Sequence, residues 1–223
     1  MLIECKDICK SFGEQKVLRN LNVSLSEGEI VSIVGASGAG KTTLLQILGT
    51  ILTPDSGEVF IDGVNPFLLS QKELSVFRNQ KVGFVFQFHH LLPEFTSIEN
   101  VMMPALIAKS DKIISSSHSE IHDRGLKLLS ELGIEDKANS FPSTLSGGEA
   151  QRVAIARAMM NSPKIIFADE PSGNLDSKTK EELHSLFFKV REIYKTAFII
   201  VTHDFTLAKK CDRMLELVDG VFR

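Results

Sequence analysis

Residues 1–223 predict a single α/β domain with a mostly parallel sheet at its centre, an antiparallel β layer beside it and a helical subdomain at about 95–160. Three observations predict this. Four short apolar runs are too continuous for half-exposed strands, as expected of strands buried on both faces. Longer helical patterns separate them, which is how parallel strands are joined. The first 30 residues and the stretch Gly57 to Gly63 show shorter alternation and turn signals instead.

In chain order, Ser26-Glu27-Gly28 and Asp62-Gly63 mark turns of the antiparallel layer, and Cys5 and Cys9 fall on one of its strands. Ile30-Val31-Ser32-Ile33-Val34 is the first buried run, and Thr43-Leu44-Leu45-Gln46-Ile47-Leu48 follows it as a helix. Val82-Gly83-Phe84-Val85-Phe86 is the second run. From Phe95 to Met160 the pattern is of helices and loops, with Ser115-Ser116-Ser117 a polar surface connection. Ile165-Ile166-Phe167-Ala168 is the third run, and Ala197-Phe198-Ile199-Ile200-Val201 the fourth. Between them Lys178, Lys180, Glu181 and Glu182 read as the exposed face of a helix. Gly35, Gln87, Asp169 and Thr202 stand at the exits of the four runs. Ligands of open parallel sheets bind beyond the carboxyl ends of the strands, so these exits converge on one site.

Composition narrows the function. With 43% hydrophobic residues the chain can bury a sizeable core. A net charge of −3 and a pI near 6.1 disfavour nucleic acid as a partner, because nucleic-acid binding needs a basic face. No apolar run approaches the roughly 18–20 residues that span a bilayer, so membrane contact is expected only through a partner. The opening Met1-Leu2-Ile3-Glu4 carries no secretory pattern. Three cysteines make no disulfide framework and fit free thiols in a reducing cytosol. His118 and His122 have helical zinc spacing but lack a third ligand, which favours a solvated face.

Two motifs carry chemistry on their own. Gly35-Ala36-Ser37-Gly38-Ala39-Gly40-Lys41-Thr42 fits the phosphate-binding loop pattern completely, between a buried strand and a helix. Glycines let backbone N–H groups wrap phosphate oxygens, Lys41 brings positive charge to the outer phosphates, and Thr42 offers a hydroxyl to Mg2+. The helix beginning near Lys41 adds its positive dipole end, and Thr43 lies in its first turn. Ile165 to Ala168 then delivers Asp169, suited to hold Mg2+ through water, and Glu170, suited to polarise a water for attack on the terminal phosphate. Together they predict a P-loop NTPase core that binds a nucleoside triphosphate with Mg2+, without saying which kind.

A third motif is more specific. Leu145-Ser146-Gly147-Gly148-Glu149-Ala150-Gln151-Arg152 leads into Val153-Ala154-Ile155-Ala156-Arg157-Ala158, a second helix N-terminus with open N–H donors. It resembles the signature motif of ABC ATPases. The resemblance covers essentially the whole chain: Gln87 matches the Q-loop glutamine, Ser172-Gly173-Asn174-Leu175-Asp176 the D-loop, His203 the switch histidine, and Phe12 the aromatic that stacks on adenine. It implies an ATP-dependent head-to-tail dimer in which Ser146, Gly147 and Gly148 of a second copy close over the phosphate loop. It also implies Mg2+ served by Thr42, Gln87 and Asp169, and catalysis by Glu170, Gln87 and His203.

Gln87-Phe88-His89-His90-Leu91-Leu92-Pro93-Glu94-Phe95-Thr96, then Glu99-Asn100-Val101, resembles the subgroup holding lipoprotein-releasing, macrolide-efflux and cell-division ATPases. The subgroup implies transmembrane permease subunits as partners, a place on the cytoplasmic face of the bacterial inner membrane, and release of lipoproteins toward the outer membrane. Efflux or cell division is the alternative within the subgroup. A non-transport ABC ATPase is a further one, disfavoured by the acidic balance and the lack of a long coiled coil. A regulatory GTPase would need an Asn-Lys-x-Asp that the sequence lacks. Ser172 stands in place of a common threonine, Ala150 in place of a longer polar residue, and the stretch Ser110 to Ser119 is longer than the resemblance leads one to expect.

Overall fold

The structure is a computed structural model that describes residues 1–110 and 115–223. Part of the long stretch from Ser110 to Ser119 therefore lies outside the described residues. The strands, in chain order, are β1 (Ile3–Phe12), β2 (Gln15–Leu25), β3 (Ile30–Val34), β4 (Ser56–Ile61), β5 (Val82–Phe86), β6 (Ile165–Asp169), β7 (Ala197–Val201), β8 (Arg213–Val218) and β9 (Val221–Phe222). The α-helices are α1 (Lys41–Leu48), α2 (Gln71–Lys81), α3 (Ser97–Ser110), α4 (His118–Glu131), α5 (Gly147–Met159), α6 (Ser177–Tyr194) and α7 (Phe205–Ala208).

The strands form two sheets. One is antiparallel, in the order β2-β1-β4; the other runs β5-β6-β7-β3-β8-β9, parallel except for β9. The four strands read from the sequence are thus neighbours, with their carboxyl ends side by side.

Alternation along the central strands divides the interior into two cores. Ile166 and Ala168 of β6, and Phe198 and Ile200 of β7, face a core shared with α3, α4, α5 and α6. Ile165, Phe167, Ala197, Ile199 and Val201 face a second core, made with α1 and the antiparallel sheet. Two-sided burial is why these strands are almost wholly apolar. Between Phe95 and Met160 the helices α3, α4 and α5 pack on one another, with Gly125 of α4 close beneath Ile98 of α3. His118 and His122 lie on α4, and no cluster of three potential metal ligands exists among the described residues. Cys5 is buried, and its thiol is pushed up to about 12 by that burial; Cys9 and Cys211 are half-buried, and all three are free. Among the described residues no helix is long and apolar enough to cross a membrane.

Candidate active site

The glycine loop leaves β3 by passing under the β8 backbone. Gly35 has φ 150°, and a Cβ there would stand 2.2 Å from the Leu217 carbonyl oxygen. Gly40 has φ 103°, and a Cβ there would meet the Leu18 side chain at 2.8 Å. Only glycine fits both the dihedrals and the space at these two points. Ala39 turns its methyl into the second core, whereas Ala36 is exposed. Lys41 folds back over the loop and donates to the carbonyls of Gly35 at 2.7 Å and Ala36 at 2.9 Å.

Helix α1 starts differently from its neighbours. Side chains of Ser70, Ser117, Ser146 and Asp176 cap α2, α4, α5 and α6, but α1 begins at Gly40 with no side-chain cap and no acidic residue in its first turn. Its first N–H groups, and the positive end of its dipole, are therefore left for an anion.

Two carboxylates face this loop. The Thr42 hydroxyl donates to Asp169 Oδ2 at 3.1 Å. Burial pushes the Asp169 carboxyl above its usual range and the Glu170 charge pushes the same way, while the Thr42 bond and Lys41 oppose them. A hydroxyl beside a carboxylate is the kind of oxygen donor set that Mg2+ takes when phosphates supply the rest. The residues present fit that ion.

Glu170 lies just past the strand in left-handed backbone, φ 46°. Its N–H donates to the Val201 carbonyl at 2.9 Å, which fixes it against β7. Its Oε2 pairs with the His203 ring Nδ1 at 2.8 Å and accepts the His203 backbone N–H at 3.3 Å. The Gln87 amide donates to Asn174 Oδ1 at 3.0 Å, so the exit of β5 is tied to the turn that follows Glu170.

These groups share one cavity of about 610 Å³. Phe12, Gly35, Ser37, Gly38, Gly40, Lys41, Thr42, Thr43, Gln87, Asp169, Glu170 and His203 all line it; Ala36 and Ala39 do not. Phe12 is 52% exposed at the rim, with the Lys10 ammonium 5.7 Å from its ring centroid. Ser146, Gly147 and Gly148 are not among its lining. They sit at the start of α5, where Ser146 and Glu149 form a reciprocal capping box; Ser146 and Gly147 are exposed and Gly148 is buried.

Sequence reasoning missed Val17, Val201 and Asn174. Val17 lines the cavity because the Phe12–Gln15 turn of the β1–β2 hairpin folds it in beside Phe12, and that hairpin register was the only available signal. Asn174 lay inside a recognised motif, but nothing in the motif linked it to Gln87. The buried His184 ring, 3.0 Å from the Ser172 hydroxyl, was also missed; a histidine on a helix gives no such signal.

Comparison with known proteins agrees with this geometry. The ABC transporter family matches residues 18–173. Over 219 residues the chain is 53% identical to the lipoprotein-releasing system ATP-binding protein LolD of Bacteroides fragilis (strain YCH46), covering 98% of this chain and 99% of the relative. It is 54% identical to LolD of Porphyromonas gingivalis over 222 residues, covering 99% and 98% respectively. The dimeric post-hydrolysis structure of the ATP-binding cassette MJ0796, bound to ADP and Pi, superposes with a TM-score of 0.89 at 40% identity, over 99% of this chain and 96% of that one. With that likeness running along nearly the whole chain and through the loop that frames the cavity, the chain belongs to the ABC transporter family and is one of its ATPases.

Proposed function

We propose that the chain is the ATP-hydrolysing subunit of a lipoprotein-releasing ABC transporter. It would work as an ATP-dependent pair beneath transmembrane permease subunits, on the cytoplasmic face of the bacterial inner membrane. The observation that carries the ATPase chemistry is the meeting of Lys41, Thr42, Asp169, Glu170 and His203 in one cavity. The cargo follows from identity above one half to LolD over almost the full length.

Each residue has a task in this reading. Phe12 stacks on adenine. The N–H groups of Gly35 through Thr43 surround the phosphates, and Lys41 exchanges its two carbonyl partners for phosphate oxygens. Thr42, Asp169 and Gln87 would hold Mg2+, which when bound offsets phosphate charge. Glu170 takes the proton of a water as its oxygen attacks the terminal phosphorus, and the bond from that phosphorus to the ADP oxygen breaks. His203 holds the Glu170 carboxylate in place and stabilises charge on the terminal phosphate. Positioning and charge supply most of such catalysis.

Ser146 and Gly147 stand exposed and apart from the cavity, which supports a second copy as the one that presents them to it. Membrane contact passes through the permease.

Glu170→Gln should lower kcat about 10² to 10⁴-fold while ATP binding persists and the ATP-bound dimer accumulates. Affinity purification of that variant from native membranes with ATP tests the whole reading. Recovery of a permease pair together with lipoproteins is expected; an efflux or division permease would overturn the cargo, and unchanged hydrolysis would overturn the role of Glu170.

A further inference from the structure

Just after Gln87 the chain turns through two consecutive non-glycine residues in left-handed backbone, His89 at φ 47° and His90 at φ 48°. L-residues rarely adopt that region, because Cβ crowds the following carbonyl, so a turn of this kind persists only where its surroundings hold it. Helix α5 supplies the hold. The Arg157 guanidinium donates to the His90 carbonyl at 2.6 Å and to the His89 carbonyl at 2.7 Å. Gln151, six residues earlier on the helix and fully buried, donates its amide to the Phe86 carbonyl at 3.4 Å. At the head of α5 the His89 ring lies beside the Gly147 backbone. The His90 ring packs edge-on against Phe86, with 5.2 Å between centroids.

The turn is therefore gripped along α5 from Gly147 to Arg157, a span of roughly 15 Å at 1.5 Å per residue. The helix so gripped is the one that begins with Ser146 and Gly147. A planar fork bonding two adjacent carbonyls fixes orientation as well as distance, which the single ammonium of a lysine cannot do.

We infer that Arg157 is a positioning residue that clamps the His89–His90 turn to α5, so that a displacement on either side of the clamp moves the turn and the Ser146–Gly147 helix start as one body. The inference rests on the reading of Ser146 and Gly147 as the face offered to a second copy, and it deepens that reading by naming how a push on the segment after Gln87 reaches that face. Arg157 touches neither nucleotide loop nor carboxylates.

The test compares wild type, Arg157→Lys and His89→Gly by amide hydrogen exchange, thermal melting and ATP-driven dimerisation on the Glu170→Gln background. Arg157→Lys should keep the cooperative melt and the ATP affinity. Exchange should rise together at residues 88–91 and 147–150, and the protein concentration for half-maximal dimerisation should rise on the order of 10-fold. His89→Gly leaves Arg157 in place but removes the ring contact, and it should loosen 147–150 in the same way; it serves as the decisive variant if Arg157→Lys fails to fold. Faster exchange at 88–91 with 147–150 unchanged would overturn the clamp, as would an unchanged pattern at both. Failure of the parent Glu170→Gln chain to dimerise with ATP would count against the proposed function instead, and the exchange pattern would still decide the clamp. Cargo enters none of these measurements.

Discussion

At the scale of single residues, function and stability pull in opposite directions on Asp169. Burial raises its carboxyl above the ordinary 3.8, so the folded chain disfavours the ionised form. A raised folded value adds stability below the unfolded value and loses it as pH rises through the folded one. At neutral pH the charge therefore destabilises the fold, while the Mg2+ role proposed for Asp169 requires it. Asp169→Asn should melt at a higher temperature than wild type at neutral pH and hydrolyse no ATP, and the difference in melting temperature should narrow as pH approaches 4. A variant that melts lower at neutral pH would contradict this account. Most of the candidate site could be picked out at this scale, because phosphate and metal chemistry restrict residue types so strongly: Lys41, Thr42, Asp169 and Glu170 each stand out from strand, loop and helix context, and the fold brings them to one cavity. The partner each side chain chooses was not readable. Gln87 binds Asn174, and Ser172 binds His184, across stretches of chain that carry no local signal.

At the scale of elements, helix starts divide into two kinds. Ser70 with Glu73, Thr96 with Glu99, Ser117 with Glu120 and Ser146 with Glu149 make reciprocal hydrogen bonds at the N-termini of α2, α3, α4 and α5. In each, bonds from the serine or threonine hold the glutamate below its ordinary 4.5. A depressed folded value contributes stability that is present above about pH 4.5 and is lost as pH falls through the folded value. Replacing all four glutamates by glutamine should therefore lower the urea midpoint at pH 6 and flatten its decline toward pH 3. An equally steep decline in the quadruple variant would place the acid sensitivity elsewhere. Strands buried on both faces were legible to within a residue, since no charged residue interrupts them. β8 was not, because only Leu217 of its six residues is buried and Arg213 and Glu216 break the run. α2 was hidden for a similar reason, with Phe77 its only buried side chain.

At the scale of the whole molecule, the central sheet joins two cores that answer to different parts of the chain. Phe187 of α6 meets Phe198 of β7 edge-on, with ring centroids 5.6 Å apart, in the core beneath the helices. Phe187→Ala should destabilise the chain by about 3–5 kcal/mol through lost burial and the cavity left behind, as measured by urea unfolding. ATP affinity should change little, because Phe187 lies on the helical side of the sheet and the loop on the other. A large loss of affinity with unchanged stability would show that the two sides are not separable. The proposed need for a second copy also belongs to this scale. The sequence offered two anion-ready helix starts, and the separation of Ser146 from the cavity in one chain is visible only once the fold is known.

Strand β6 sends Ile165 and Phe167 to one core and Ile166 and Ala168 to the other before it ends at Asp169. A slip of one residue against β5 and β7 would exchange Phe167 with a position sized for alanine and leave Ala168 beside Thr42. Both cores would reject such a slip at once. The placement of the carboxylates is thus digital rather than graded, and a chain that has closed its two interiors has no intermediate setting in which to hold a half-built catalytic centre.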